Sequence, residues 1–200
     1  MNKSLGFIGL GVMGYPMAGH LSKDGHSVSV YNRTKEKSQK WLKHFSGRIC
    51  TSPAELAEDS EIIILCVGKD SDILELINND QGIKESIKEN SIIIDHSTTS
   101  AELPIEINKQ LKSKNVTFLD APISGGQAGA EAGQLSIMVG GDKESFNQIE
   151  DTIKSYSKFT KYMGPSGSGQ LTKMVNQICL TGLIPVSYTH LRCRRRCLCR

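Results

Sequence analysis

The chain has 200 residues, enough for one domain with a sizeable buried core or for a domain and part of a second. Hydrophobic residues make up 38% and charged residues 22%, near the averages of globular proteins, and no apolar run approaches the roughly 20 residues that span a bilayer, which argues against fibrous, disordered and membrane-spanning classes. The net charge of +3 comes from Arg192, Arg194, Arg195, Arg196 and Arg200 in the last nine residues; without them 19 basic residues face 21 acidic ones, which argues against a nucleic-acid-binding face.

Lys3 ahead of "LGFIGLGVMG" imitates the start of a signal peptide, but the stretch is glycine-rich and lacks a small-x-small cleavage site, so a cytoplasmic protein is expected. "SLGFIGL" reads as the first strand, and "MGYPMAGHLSKDG" as a helix opening near Met13. Between them stands Gly9-Leu10-Gly11-Val12-Met13-Gly14. At a first strand-to-helix turn this G-x-G-x-x-G predicts dinucleotide binding. Gly9 permits the turn, Gly11 lets backbone approach a pyrophosphate, and Gly14 lets helix pack on strand. The helix N-terminus offers N–H groups and a positive dipole end to the phosphates. A merely structural glycine turn is the alternative.

After the second strand, "HSVSVYN", an NAD site usually places a carboxylate to accept hydrogen bonds from the ribose. Asn32 occupies that place, followed by Arg33 and Thr34. No carboxylate repels a 2′-phosphate there and a guanidinium is available to grip it, so NADP is expected, with NAD possible. The same residues also suit an exposed turn with Thr34 as helix N-cap.

"EIIILCV", "NSIIIDH" and "NVTFLDA" read as further strands, and Val67, at the end of the first, joins the expected cofactor set. Helices are expected in "TKEKSQKWLKHF", "SPAELAEDS", "SDILELINND" and "SAELPIEINKQLKSK", with Ser52 capping and Pro53 at the first helical position. Alternating strands and helices demand crossovers, hence a doubly wound, mostly parallel α/β sheet of Rossmann type covered on both faces. His20, His26, His44, His96 and His190 form no triad pattern, and Asp95 reads as a strand-end structural carboxylate, so no metal is expected.

"DAPISGGQAGAEAGQL" follows the "NVTFLDA" strand at the sheet edge where open α/β sheets bind ligands. Ser124, Gly125 and Gly126 could present a hydroxyl and two backbone N–H groups to a carboxylate; a flexible loop is the alternative. "GQLTKMVNQ" holds Lys173, the only charged residue between Lys161 and Arg192. On a helix it shares a face with Gly169, Gln170, Asn176 and Gln177, while Leu171, Met174, Val175, Ile178 and Leu180 fill the rest. A polar stripe in an apolar helix fits a cleft wall; a lysine lifting its head into water is the plainer alternative.

The tail "RCRRRCLCR" abandons lysine for arginine and packs in Cys193, Cys197 and Cys199 without paired Cys-x-x-Cys spacing, so it reads as foreign or frameshifted sequence without a function. Cys50, Cys66 and Cys179 are expected to be buried free thiols.

Four segments in order, "GFIGLGVMGYPMAGHL", "DHSTTS", "DAPISGG" and "GSGQLTKMVNQ", resemble the β-hydroxyacid dehydrogenase family, which includes 3-hydroxyisobutyrate dehydrogenase, tartronate semialdehyde reductase and glyoxylate or succinic semialdehyde reductases. The resemblance spans most of residues 4 to 184. It implies a Rossmann domain over residues 1–163, extended by "LSIMVGG" and "KFTKYM", then an interdomain helix over 164–184 that begins a largely missing all-helical domain, with 185–200 as the atypical tail. It implies Thr98 as a cofactor contact, Ser124, Gly125 and Gly126 on a small carboxylate substrate, and Lys173 as general acid/base on the substrate oxygen. Family members often carry Asn four residues after that lysine; here Gln177 stands there with Asn176 before it, leaving open which amide meets the substrate. His20, where the family often has Asn, reads as a helix-surface variant. The implied function is an NADP(H)-dependent interconversion of a small β-hydroxyacid and its semialdehyde or keto form, in a full-length protein that is homo-oligomeric. An apolar helix face around Leu180, Leu183 and Ile184 would then lie partly uncovered. A non-catalytic dinucleotide-binding module is the alternative.

Overall fold

The computed structural model describes residues 2–186, and side chains through residue 182; the tail beyond residue 186 and the side chains of Leu183 and Ile184 lie outside that description. β1 (Ser4–Ile8) leads through the glycine turn into α1 (Gly14–Lys23), followed by β2 (Ser27–Tyr31), α2 (Lys35–Leu42) and the short β3 (Arg48–Ile49). Then come α3 (Pro53–Glu58), β4 (Ile62–Leu65), α4 (Asp70–Asn78), α5 (Ile83–Ser86), β5 (Ile92–Asp95) and α6 (Leu103–Leu111). The chain continues through β6 (Thr117–Asp120), β7 (Ile123–Ser124), α7 (Gly126–Glu131), β8 (Leu135–Gly140), α8 (Lys143–Ile153) and β9 (Ser157–Gly164) to the long α9 (Ser168–Val186).

One sheet of nine strands takes the order β3-β2-β1-β4-β5-β6-β8-β7, with β9 also pairing with β8. From β3 to β6 every pairing is parallel, and the strand order 3-2-1-4-5-6 is the doubly wound Rossmann order. β8 then runs antiparallel to β6 and β7 and parallel to β9. The expected mostly parallel α/β fold is therefore present. The sequence analysis names no element at β3, β7 and α5, where two to four residues carry too little periodicity to register, nor at α7 and α8, although α8 runs to 11 residues.

The parallel strands are buried on both faces, so their side chains divide by the two-residue pleat rather than into apolar and polar sets. Ile62, Ile64, Ile92 and Ile94 join Leu5, Phe7, Met17 and Trp41 in one core. Ile63, Leu65 and Ile93 join Ile8, Leu56, Ile73 and Ile107 in the other. Ser52 does cap α3, its hydroxyl accepting the Glu55 N–H at 3.1 Å, with Pro53 opening the helix. Thr34 holds the N-cap position of α2 in extended conformation but its side chain makes no capping hydrogen bond.

At the first crossover Gly9 has φ +102°, which a side-chain-bearing residue rarely adopts. Gly14 opens α1 directly against β1. A methyl group there would collide with the Gly9 carbonyl oxygen and lie 2.9 Å from the Phe7 ring. Gly14→Ala is expected to cost about 1–3 kcal/mol through overpacking. Thermal unfolding should show a midpoint several degrees lower, and an unchanged midpoint would contradict this packing.

Candidate functional site

The C-terminal ends of the parallel strands open into two adjoining cavities. The first, of 490 Å³, is lined by Gly9, Gly11, Val12, Met13 and Gly14 of the glycine turn, by Asn32, Arg33 and Thr34, by Lys37 from α2 and by Asp72 and Glu75 from α4. A side chain at Gly11 would meet nothing within 4 Å, so the turn leaves its backbone approachable from the cavity. The second, of 430 Å³, is lined by Thr98, Ser124, Gly125, Gly126, Lys173 and Gln177. Met13, Cys66, Val67 and Gly68 line both cavities, which makes the two neighbours along one sheet edge.

The Ser124–Gly126 loop takes its shape from its glycines. Gly125 has φ +138° and Gly126 φ +62°, and the pair turns the chain from β7 directly into α7. Across the cavity, α9 meets the sheet through its polar stripe. Asp120, at the end of β6, accepts the Gly167 N–H at 2.8 Å and the Gln170 N–H at 3.0 Å. A carboxylate facing the first turn of a helix is stabilised by its unpaired N–H groups and dipole. Lys173 follows one turn later. Only 8% exposed, it donates from Nζ to the Ile123 carbonyl at 2.8 Å, and burial lowers its pKa from the ordinary lysine value. The amine thus faces a cavity wall and not open water.

Most residues named from the sequence fall on these two cavities, and two do not. Leu10 has a buried side chain in the core, and its N–H is taken by Asn32 Oδ1 at 2.9 Å. Asn176 lies outside both linings; its side chain reaches Gln177 instead, so of the two neighbouring amides Gln177 is the one on the cavity. Asn32 sits at the cavity as expected, yet its Oδ1 also braces the glycine turn by accepting that Leu10 N–H, while its Nδ2 donates to the Thr34 carbonyl at 3.0 Å. Cys50 is buried as expected, Cys66 is partly buried, and Cys179 is exposed, because α9 turns that side away from the sheet. His20 does more than decorate a helix surface: its Nε2 lies 3.1 Å from the Ala130 and Glu131 carbonyls at the end of α7. Two residues were missed: Lys37, which joins Arg33 at the first cavity from the first turn of α2, and Asp120, which anchors α9. Gln170, placed by the sequence on the face of Lys173, anchors α9 as well.

Among the described residues there is no cluster of His, Cys, Asp or Glu that could hold a metal ion, and no helix long and apolar enough to cross a membrane.

Residues 4–164 match the family described as the NAD binding domain of 6-phosphogluconate dehydrogenase. The chain is 47% identical over 178 residues to an uncharacterized oxidoreductase of Shewanella frigidimarina, covering 89% of this chain and 61% of that protein. It is 37% identical over 178 residues to the probable 3-hydroxyisobutyrate dehydrogenase-like 1, mitochondrial, of Arabidopsis thaliana, covering 88% of this chain and 53% of that protein. Among solved structures, Mycobacterium tuberculosis 3-hydroxyisobutyrate dehydrogenase with L-serine superposes with a TM-score of 0.91 at 25% identity, over 99% of this chain and 67% of that one. The chain therefore spans about three fifths or less of the length of these two sequence relatives.

At the second cavity, which His96 also lines, burial drives His96 and its neighbour Asp95 in opposite directions. His96 is pushed down to about 4; its Nδ1 donates to the Ala121 carbonyl at 2.6 Å, and its Nε2 accepts from the Tyr156 hydroxyl at 2.8 Å. Asp95 is pushed up to about 7, with Oδ1 accepting the Ser97 N–H at 2.9 Å and Oδ2 without a partner among the described residues. The folded state refuses a proton at His96, so that contribution is present above pH 6.5 and lost as pH falls through about 4. It retains one at Asp95, so that contribution is present below pH 3.8 and lost as pH rises through about 7. Asp95→Asn removes the second effect alone. Relative to wild type it should be more stabilising at pH 8 than at pH 5 by roughly 2 kcal/mol, read from denaturant unfolding at both pH values. Parallel stability profiles for the two proteins would refute the assignment.

Proposed function

The chain belongs to the β-hydroxyacid dehydrogenase family, and on that premise we propose that it is an NADP(H)-dependent oxidoreductase interconverting a small β-hydroxyacid and its semialdehyde or keto form. The observation that carries the reading is the Lys173 amine, buried at a cavity that adjoins the glycine-turn cavity and shares Met13, Cys66, Val67 and Gly68 with it.

The first cavity fits a dinucleotide by the chemistry of its walls. The open backbone at Gly11 and the start of α1 suit a pyrophosphate, and Val67 gives an apolar surface where the two cavities join. Arg33, which makes no ion pair among the described residues, stands with Lys37 and Thr34 where a ribose 2′-phosphate would need partners, and Asn32 supplies no opposing charge. These groups support NADP over NAD. Thr98 would hold the end of the cofactor nearest the second cavity. When bound, the nicotinamide supplies or accepts the hydride.

The chain's own groups would do the rest. Ser124 and the backbone of Gly125 and Gly126 would bind the substrate carboxylate, and Gln177 would orient the substrate from α9. Lys173 would deliver a proton to the carbonyl oxygen in reduction and remove it from the hydroxyl in oxidation. Burial that lowers its pKa brings the amine nearer the range in which both directions run. L-serine, present with the Mycobacterium tuberculosis relative, is itself a β-hydroxyacid and supports this substrate class.

Two outcomes are expected. Fluorescence titration should give tighter binding of NADPH than of NADH, with Arg33→Ala losing about 10- to 100-fold of NADPH affinity, the worth of a charge-assisted hydrogen bond, and little of NADH affinity. Equal losses for both nucleotides would remove the assigned role of Arg33. With NADPH and small semialdehydes as substrates, Lys173→Ala should lower kcat by about 10²- to 10⁴-fold and leave nucleotide affinity nearly unchanged. Turnover equal to wild type would end the proposal for Lys173.

A further inference from the structure

Gln170 lies one turn before Lys173 on α9 and is completely buried. Its Oε1 accepts the Thr99 N–H at 3.2 Å, and its Nε2 donates to the Ser97 carbonyl at 2.8 Å. Those two backbone groups flank Thr98, so one carboxamide pairs with both sides of a single residue, as a neighbouring strand would. The amide fits only one way round, because Oε1 meets a donor and Nε2 meets an acceptor. Ser97 in turn accepts the Val67 N–H on its hydroxyl at 3.0 Å, and Val67 lines both cavities while Thr98 lines the second. At its main chain, Gln170 is bound by Asp120 at 3.0 Å. A buried amide is costly unless both halves are bonded, and here both are.

We propose that Gln170 is a positioning residue: its carboxamide clamps the Ser97–Thr99 segment to α9 and thereby sets the separation between the Thr98 edge of the cavity and the Lys173 amine. Apolar packing of α9 alone would allow the helix to slide or turn by a fraction of a residue. A paired donor and acceptor on one rigid plane removes that freedom, because either motion breaks both bonds at once. The inference rests on the reading of Lys173 as the proton-transferring group for its functional meaning, while the clamp itself is a matter of geometry.

Two substitutions test it on the 200-residue chain. Gln170→Met keeps the length and removes both hydrogen bonds. Gln170→Glu keeps the acceptor for Thr99 and donates to the Ser97 carbonyl only while its carboxyl is protonated. The titratable groups around that position are Asp95 at the end of β5, His96 just after it, Asp70 bonded to Ser100, Asp120 on β6 and Lys173 itself. Two measurements need no turnover: hydrogen exchange of the Thr99 amide, and the pH profile of Lys173 labelling by an amine-selective reagent, quantified by mass spectrometry. In Gln170→Met, Thr99 exchange should quicken by about tenfold, the equivalent of one hydrogen bond. Lys173 labelling should shift toward the higher pH of an ordinary lysine as water reaches the amine. Gln170→Glu should behave like wild type at low pH and like the Met variant at high pH, a change within one folded protein that a mere loss of stability would not produce. Unchanged Thr99 protection overturns the clamp, and faster exchange with an unmoved Lys173 profile overturns its positioning role. If turnover is measured, the Met variant should lose kcat by a larger factor than it raises the KM for NADPH. Should Lys173→Ala retain full turnover while the labelling profile still follows Gln170, the reading of Lys173 fails and the clamp stands.

Discussion

α9 is held to the sheet by the Asp120 carboxylate and by Gln170, and the second cavity exists because they hold it there. Asp120 ends β6 with its carboxyl facing the first turn of α9, where helical N–H groups have no partners of their own. Burial raises the pKa of this acid, while the N–H groups of Gly167 and Gln170 pull it back toward the charged form. The approach is close enough that α9 needs glycine at its contact with the strand ends. A methyl group at Gly169 would lie 2.5 Å from the Met138 carbonyl and 2.7 Å from the Asp120 carbonyl. The "GSGQ" stretch therefore reads as the sequence of a helix start pressed against backbone.

The same edge links the nucleotide side to the lysine side through backbone. Asn32 on the β2 end holds the Leu10 N–H, the hydroxyl of Ser97 holds the Val67 N–H, and the Gln170 amide holds both neighbours of Thr98. Each of these side chains fixes a loop that follows a parallel strand. Loops at this edge have no ladder partners of their own, so short polar side chains supply the missing donors and acceptors. This places the cavity walls on strand ends and helix starts, which deviate less than free loops would.

The fold was legible because its signals are local and repeated. Runs such as "EIIILCV" and "NSIIIDH", spaced by helical stretches, fix a parallel sheet, and a strand buried on both faces needs only that every position be apolar. The glycine turn was legible because backbone sterics leave few residues able to occupy it. Gly9 and Gly14 stand where a side chain would strike the neighbouring chain. The partners of the site were harder to see, since hydrogen bonds between positions 97 and 170, or 120 and 167, leave no periodicity in the sequence. The burial of the Leu10 side chain was hidden for a related reason: a motif assigns a whole turn to the ligand and does not tell which side chains of that turn point into the core. Asn176 and Gln177 are adjacent, and helical rotation of about 100° per residue puts only one of them on the cavity wall.

α9 meets the sheet through its polar face. Its buried stripe is Gly169, Gln170 and Lys173, whereas Leu171, Val175, Ile178 and Leu180 are exposed, at 55%, 60%, 71% and 45%. An apolar stripe against the sheet would give more burial energy and less directional control, since apolar contact is nearly indifferent to small sliding and rotation. Hydrogen bonds to Asp120 and Gln170 give less energy and fix angle as well as distance. An amine that must meet a substrate oxygen within hydrogen-bond reach gains more from the second kind of attachment than from the first. The sequence reading took the polar stripe for the wall of a cleft, and the structure adds why the stripe has to be polar on its own account: the groups that hold the helix and the group that faces the cavity occupy the same face, one turn apart.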